Sequence, residues 1–366
     1  MRILFVLGGL RIGGYEVLTV KIANELHRRG NKVIIVSLHT DNQIVNRVEP
    51  GIDIRFITRR FRIDISFIYR ISWVLKTFRP DIVFSCAYFE YLIVRFASFF
   101  MFRRPKFVLA FHQTKPYDRK EEEHFRIGSF FARLFNDRYV AIHRSQIDFY
   151  SVRYRLPKKR FTLIYNGVDT RHFSPDARVE RQNGDVFRIA HVATLKPLKD
   201  QWTLLKSMVE LNKDYKDWEL TIAGQDQTGV LAQYKDFVVK HNLSDKTKFV
   251  GSILDARSVL RGADVFVLTS VTEALPLAVI EAIAMGIPCI VTDVGGNPNI
   301  IEDGREGFLV QPRDYRTIAE HIRYLIKKPD VWKEMSLAAR RKAVKNFDFD
   351  HMIDSYCVLF NRILDR

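Results

Sequence analysis

The sequence predicts an α/β protein built of two parallel-sheet halves with helices packed on their faces. Three observations point there. Short apolar runs alternate with amphipathic helical patterns along nearly all 366 residues, as expected of repeated βαβ units. The alternation lapses once, near the middle, and then starts again. The length suits two domains of ordinary size.

The first strand is predicted over residues 2–7. Gly13-Gly14 then turns the chain into a helix carrying Val17, Val20, Ile22, Ala23 and Leu26, which ends near Gly30. Further strands follow at 32–37, 53–57, 81–85, 106–111, 138–142 and 161–164. Segments 66–78, 89–101, 122–135 and 145–154 have helical character. The stretch 170–185 holds Pro175, Gly184 and many charges, and reads as a linker. The second series places strands at 186–192, 218–223, 246–250, 265–268, 288–291 and 307–310. Helices fall between them at 200–211, 228–241, 255–261, 277–285, 314–326 and 330–345, and a last helical pattern covers about 350–363.

Composition narrows the function classes. Cys86, Cys289 and Cys357 are odd in number and far apart, so neither a disulfide framework nor a cysteine metal site is expected, and a reducing compartment suits them. The apolar amino terminus lacks the basic region and cleavage site of a signal peptide and reads as a buried strand. The longest apolar stretch, 82–102, is broken by Glu90 and Arg95, which argues against a spanning helix. Residues 1–175 hold 31 Lys and Arg against 15 Asp and Glu, which is the whole net charge of +16; residues 176–366 hold 27 of each. Such a field favours an anionic partner. Segments 88–106 and 125–138 interleave aromatic and basic residues. They read either as core stripes with solvated ends or as a face for an anionic membrane.

The strongest chemical signal is 270–286, SVTEALPLAVIEAIAMG. A buried strand ends just before it. Pro276 suits a helix start, and the helix end that follows offers free backbone N–H groups and a positive dipole. A diphosphate fits such an end, on amides near Leu275 and Leu277. Glu273 and Glu281 flank it, and carboxylates accept hydrogen bonds from sugar or ribose hydroxyls. By spacing alone, two surface glutamates beside an ordinary helix start would read as well. Gly13-Gly14 allows close backbone approach but lacks the Gly-x-Gly-x-x-Gly spacing. Ser37, not an acid, follows Val36, so a nicotinamide site is not expected. No Asp-x-Asp pair suggests a metal-bound diphosphate.

Five segments in order and spacing carry a resemblance. They are GGYE at 13–16, YNGVD at 165–169, HVATLKPLKD at 191–200, EALPLAVIEAIAMGIPCIVTDVGGNPNII at 273–301 and DGREGFLV at 303–310. Together they resemble the retaining glycosyltransferases of family four (glycosyl transferases group 1). The resemblance implies the GT-B fold: two Rossmann-like domains whose parallel sheets face each other across a cleft, with the C-terminal helix returning to the first domain. The acceptor domain would span 1–170 with about 350–366, and the nucleotide-sugar domain 180–349.

The resemblance also implies roles. Glu273 would contact the transferred sugar and Glu281 the ribose. Amides of Ala274, Leu275 and Leu277, with Pro276, would face the sugar and diphosphate. Lys199 would neutralise the diphosphate as the bond breaks. His112 would contact the donor sugar. Gly13, Gly14, Asn166 and Thr194 complete the donor set. Thr194 stands where the family usually has arginine, and Lys196, two residues on, is the candidate substitute. His191 and His143 read as structural, and Ser145 as the cap of the following helix. Transfer without a metal or other cofactor is implied, with retention at the sugar carbon and a carbohydrate or lipid-linked acceptor in polysaccharide, lipopolysaccharide or glycolipid assembly. The expected location is cytoplasmic, on the inner face of a membrane where basic residues reach it. Other classes stay open at this point. One is a basic nucleic-acid- or membrane-binding protein, although no nucleic-acid motif supports a nucleic-acid partner. The others are a catalytically degenerate GT-B protein and another GT-B enzyme such as an epimerase or phosphorylase.

Overall fold

The computed structural model describes residues 1–11, 13–61, 64–113, 116, 119–175 and 185–365. The chain divides into two compact units. Unit 1 comprises residues 1–164 and 352–366, and unit 2 residues 165–351.

Unit 1 runs β1 (Arg2–Leu7), α1 (Gly14–Arg28), β2 (Lys32–Ser37), β3 (Asp53–Phe56), α2 (Ile65–Phe78), β4 (Ile82–Ser85), α3 (Tyr88–Ala97), β5 (Lys106–Phe111), α4 (Arg119–Leu134), β6 (Arg138–Ala141), α5 (Arg144–Tyr154) and β7 (Phe161–Leu163). Its seven parallel strands are ordered β3-β2-β1-β4-β5-β6-β7. The central strands are apolar on both faces, as a sheet covered on both sides requires. Leu4, Val6, Val83, Leu109 and Phe111 are buried in one cluster with Phe67, Tyr91 and Tyr150 from the helices.

Unit 2 runs β8 (Phe187–Val192), α6 (Gln201–Leu211), β9 (Trp218–Ala223), α7 (Leu231–Lys240), β10 (Thr247–Gly251), α8 (Arg257–Leu260), β11 (Val265–Leu268), α9 (Leu277–Ala284), β12 (Cys289–Thr292), α10 (Asn297–Ile300), β13 (Gly307–Val310), α11 (Tyr315–Lys327) and α12 (Pro329–Asn346). Six parallel strands are ordered β10-β9-β8-β11-β12-β13. Helix α13 (Phe349–Leu364) begins in unit 2 and belongs to unit 1 from Met352 onward. There Tyr356 and Phe360 set their rings 5.6 and 6.3 Å from that of Phe84, and Arg29 reaches Asp354 at 2.5 Å.

Two readings of the middle segments change. Residues 176–184 of the expected linker lie outside the described residues. Residues 170–175 are not a linker: Phe173 is buried, and Arg340 donates to the carbonyls of Thr170 and Phe173, both at 2.9 Å. The 82–102 stretch becomes strand β4 and a helix buried inside unit 1. Arg95 there ion-pairs with Asp137, which also accepts from the Tyr91 hydroxyl at 2.6 Å. Among the described residues no helix is long and apolar enough to cross a membrane.

Candidate active site

In an open parallel sheet, ligands gather at the carboxyl ends of the strands where the strand order reverses. In unit 2 that point lies between β8 and β11, neighbours in the sheet whose connections leave in opposite directions. The loops after these two strands hold Lys199 and Glu273.

Several bonds stitch the two loops together. The Val271 amide donates to the Leu198 carbonyl at 3.0 Å. The Thr269 hydroxyl donates to the carbonyls of Lys199 and Asp200 at 3.1 and 2.8 Å. Lys199 forms a short turn with Pro197 and Leu198, after which Asp200 takes a left-handed backbone and α6 begins. The Lys199 ammonium ion-pairs with Glu273 Oε1. Ser270 Oγ donates to the same oxygen at 2.6 Å. Glu273 is buried. A buried carboxylate held by an ammonium and a hydroxyl is fixed in place and keeps its charge compensated.

The loop then enters α9. Pro276 is its extended N-cap and Leu277 its first residue. The Ile280 amide is the first to find an intrahelical partner, the Pro276 carbonyl at 3.3 Å. The amides of Leu277, Ala278 and Val279 precede it, in the turn where helices lack such partners. Glu281 sits one turn in, half-buried, on the same helix.

Other site residues act on this loop from behind. Asn166 is buried and donates from Nδ2 to the Leu275 carbonyl at 3.0 Å, so in this structure it positions the loop. Gly296 leaves no room for a side chain, since a Cβ there would stand 2.1 Å from the Ala274 carbonyl oxygen. Thr292 donates to the Ser270 carbonyl at 2.6 Å. Ser270, Thr269 and Gly296 were not picked out from sequence, although Gly296 lies inside the most specific matched block. Thr194 is half-buried, and its carbonyl accepts from Gln201 Nε2 at 3.0 Å. Lys196 is half-buried; burial first, and then neighbouring Lys199, hold its ammonium below the ordinary lysine range, while Glu273 opposes them. Lys196 is therefore close enough to sense both site charges. His191 is structural: fully buried, it lies 2.8 Å from the Val267 carbonyl and 3.3 Å from Gln201 Nε2.

Gly13, Gly14 and His112 belong to unit 1. Gly13 caps α1 in an extended conformation and Gly14 is its first residue. His112 follows β5, and its ring stacks on Tyr15 with centroids 6.1 Å apart. Burial lowers its pKa to about 4, and its Nε2 has no partner among the described residues. A neutral imidazole with a vacant nitrogen suits a hydroxyl ligand. Ser145 is not a cap: the N-cap of α5 is His143, and Ser145 Oγ lies 2.8 Å from its Nδ1. Among the described residues no three His, Cys, Asp or Glu side chains are grouped to hold a metal ion.

Comparison with known proteins meets this geometry. The family model for Glycosyltransferase Family 4 matches residues 12–172, and that for Glycosyl transferases group 1 matches residues 174–342. The chain belongs to the group 1 glycosyltransferases of the GT-B fold. It is 27% identical over 208 residues to the putative glycosyltransferase EpsD of Bacillus subtilis, covering 54% of each chain. It is 28% identical over 238 residues to an Escherichia coli UDP-Gal:alpha-D-GlcNAc-diphosphoundecaprenol alpha-1,3-galactosyltransferase, covering 61% of this chain and 60% of that one. The chain thus spans little more than half the length of such curated relatives. Among solved structures, Anabaena Alr3699/HepE in complex with UDP superposes with a TM-score of 0.87 at 18% identity, over 99% of this chain and 100% of that one. At that identity the likeness speaks for the fold.

Proposed function

We propose that this chain transfers a sugar from a nucleotide-diphosphate donor to a hydroxyl of a carbohydrate or lipid-linked acceptor. The observation that carries the reading is the Lys199–Glu273 pair at the mouth of α9, on the switch point of unit 2. A diphosphate seated on the first amides of α9 would draw the Lys199 charge, with Lys196 in support in place of the family's arginine. As the glycosidic bond breaks, negative charge grows on the departing nucleotide, and a fixed cation and helix dipole stabilise it most in that state. Glu273 would hold sugar hydroxyls and Glu281 the ribose. In the reading we favour, configuration at the sugar carbon is retained. The leaving phosphate oxygen takes the acceptor proton while the acceptor oxygen enters on the same face. The cation and amides match the diphosphate charge, so no metal is required.

A uridine nucleotide is the first donor to test, since the Anabaena relative was solved with UDP and with UDP-glucose. The Escherichia coli relative's acceptor is a lipid-linked diphosphate by its name, which supports a role in glycolipid or cell-surface polysaccharide assembly. We place this chain on the inner face of a membrane, a reading that the basic, aromatic surface of unit 1 supports. A thermal-shift series with UDP-, GDP- and ADP-sugars tests the transferase. The right donor at a hundredfold excess over its Kd should add about 2.7 kcal/mol of stability. Silence from all three series would sink the reading.

A further inference from the structure

The switch point of unit 1 lies between β1 and β4, and with the Gly13-Gly14 loop it stands at the carboxyl end of the sheet. The opposite, amino end carries none of the residues assigned to the donor. There the strands start on cations: Arg2 opens β1, Lys32 β2, Lys106 β5 and Arg138 β6. Arg138 pairs with Val108, two residues beyond Lys106, so Lys106 and Arg138 stand on one face of neighbouring strands.

A cleft of about 440 Å³ opens at this edge. Arg95, Arg104, Lys106 and Arg138 all line it, and Asp137 is the one acid among its lining residues. That carboxylate is already engaged, by the Arg95 ion pair and by the Tyr91 hydroxyl at 2.6 Å. Arg95 is only 3% exposed, and its Nε has no partner among the described residues. Arg104 and Lys106 are exposed, and neither is in an ion pair among the described residues. Cations at the amino end of a parallel sheet also meet the C-termini of the covering helices, whose dipoles favour positive charge. Arg95 in the last turn of α3 and Arg133 in that of α4 fill that role. Arg104, Lys106 and Arg138 lie on no helix, so the dipoles do not account for them. Like charges gathered in one cleft repel each other, and a bound anion relieves that repulsion. Guanidinium forks match phosphate oxygens in particular.

The volume falls within the range of small-molecule pockets, ~300–1,000 Å³, so the cleft has room for a body beyond the phosphate. Phe135 and Ile363 give that body an apolar wall. The exposed Phe100 and Phe102 rings, which an acyl chain would meet, line a different groove. A soluble ligand therefore fits this cleft better than a lipid does. Strand β5 runs from Lys106 to Phe111, next to His112, so about 20 Å of strand separates the cleft from His112.

We propose that this cleft binds the phosphate group of a soluble small molecule, of the sugar-phosphate or diphosphate class, at a site separate from the donor's. The inference does not depend on the transferase reading. Isothermal titration calorimetry of the full chain tests it, with glucose 6-phosphate and inorganic pyrophosphate as probes, each with and without saturating UDP. One site for these probes is expected to persist when UDP is present. Lys106→Ala should weaken that binding at least fivefold, and Arg104→Ala with Lys106→Ala more than tenfold. Both side chains are exposed, so the fold should survive. Lys106→Arg should stay within threefold. Lys32→Ala removes the same charge from the same end of the sheet, but outside the cleft, and should stay within twofold. Phosphatidylglycerol vesicles should not displace glucose 6-phosphate. Displacement by them and not by phosphatidylcholine would give the phosphate to a lipid headgroup and overturn the soluble ligand. No binding of either probe, complete loss in UDP, wild-type binding in the double variant, or an equal loss in Lys32→Ala overturns the site. A wild type that binds the probes but not UDP counts against the transferase and leaves the cleft in place.

Discussion

At the residue scale, the site turns on how few groups carry charge. Lys199 is one ammonium in a loop where the family's arginine is replaced by Thr194, so its loss should be severe. Lys199→Ala is expected to lower kcat/KM by about 10²–10³, the magnitude of losing one preorganised stabiliser of a developing negative charge. A steady-state assay of nucleotide release checks this, and a loss below tenfold would mean that Lys196 carries the role. Fully buried His191 makes a second prediction. Burial holds its pKa at about 4, against an ordinary value near 6.5. Between those pH values the unfolded chain binds a proton that the folded chain refuses. Stability therefore falls as pH drops from about 6.5 to 4, by up to about 1.4 kcal/mol per pH unit from this group. Urea denaturation at pH 6.5 and 5 should show that slope shrinking in His191→Asn.

At the element scale, the buried helix α3 shows what an intramolecular partner does for a charge. Arg95 lies over the Phe107 ring at 3.6 Å and pairs with Asp137, whose pKa burial raises in spite of Arg95. The pair compensates burial without being a large net gain. Asp137→Ala should cost about 3–5 kcal/mol, because it strands the guanidinium, whereas Arg95→Met with Asp137→Leu should come close to neutral. Denaturant midpoints of the single and double variants decide it, and an additive double variant would contradict the argument. The same element shows what sequence reading could reach. Alternation fixed the order and type of nearly every long element, because parallel strands buried on both faces leave continuous apolar runs. It did not show that Arg95 would be met by Asp137, since that partner comes from the loop before β6, 42 residues on. Nor did it show that residues 170–175 are tied down by Arg340 from α12. In the site, Lys199 and Glu273 stand out only through the segments 191–200 and 273–301 that carry the family resemblance, and the Ser270 and Asn166 bonds that hold the loop depend on tertiary approach.

At the scale of the whole molecule, the two units share one sheet topology with different charges at the switch point: Lys196, Lys199 and Glu273 stand in the loops of unit 2, and Glu16 and Glu90 beside those of unit 1. The +16 charge of residues 1–175 is thus not spent on the unit 1 mouth, and the structure shows where part of it stands. Tyr69 and Trp73 on α2, Phe100 and Phe102 beyond α3, and Phe130 and Leu134 on α4 are all exposed. Lys76, Arg79, Asp81, Phe100, Phe102 and Arg103 are among the residues lining one groove, and Glu123, Arg126, Ile127 and Phe130 line another. The Phe96, Phe99, Phe130, Phe131 and Phe135 rings join α4 to α3 in an unbroken run of contacts, with Arg104 over Phe99 at 5.1 Å. Aromatic side chains ringed by arginine fit a bilayer interface with anionic headgroups better than they fit water. Each Lys or Arg near such a surface contributes about 1 kcal/mol, an attraction that salt screens. The protein should therefore sediment with vesicles containing phosphatidylglycerol and not with pure phosphatidylcholine, and raising the salt to about 1 M should release most of it. Phe100→Ser with Phe102→Ser should weaken binding at low salt without moving the melting temperature by more than a degree or two, since both rings are exposed. Equal binding to neutral vesicles, or none to anionic ones, would leave the aromatic face without a lipid role.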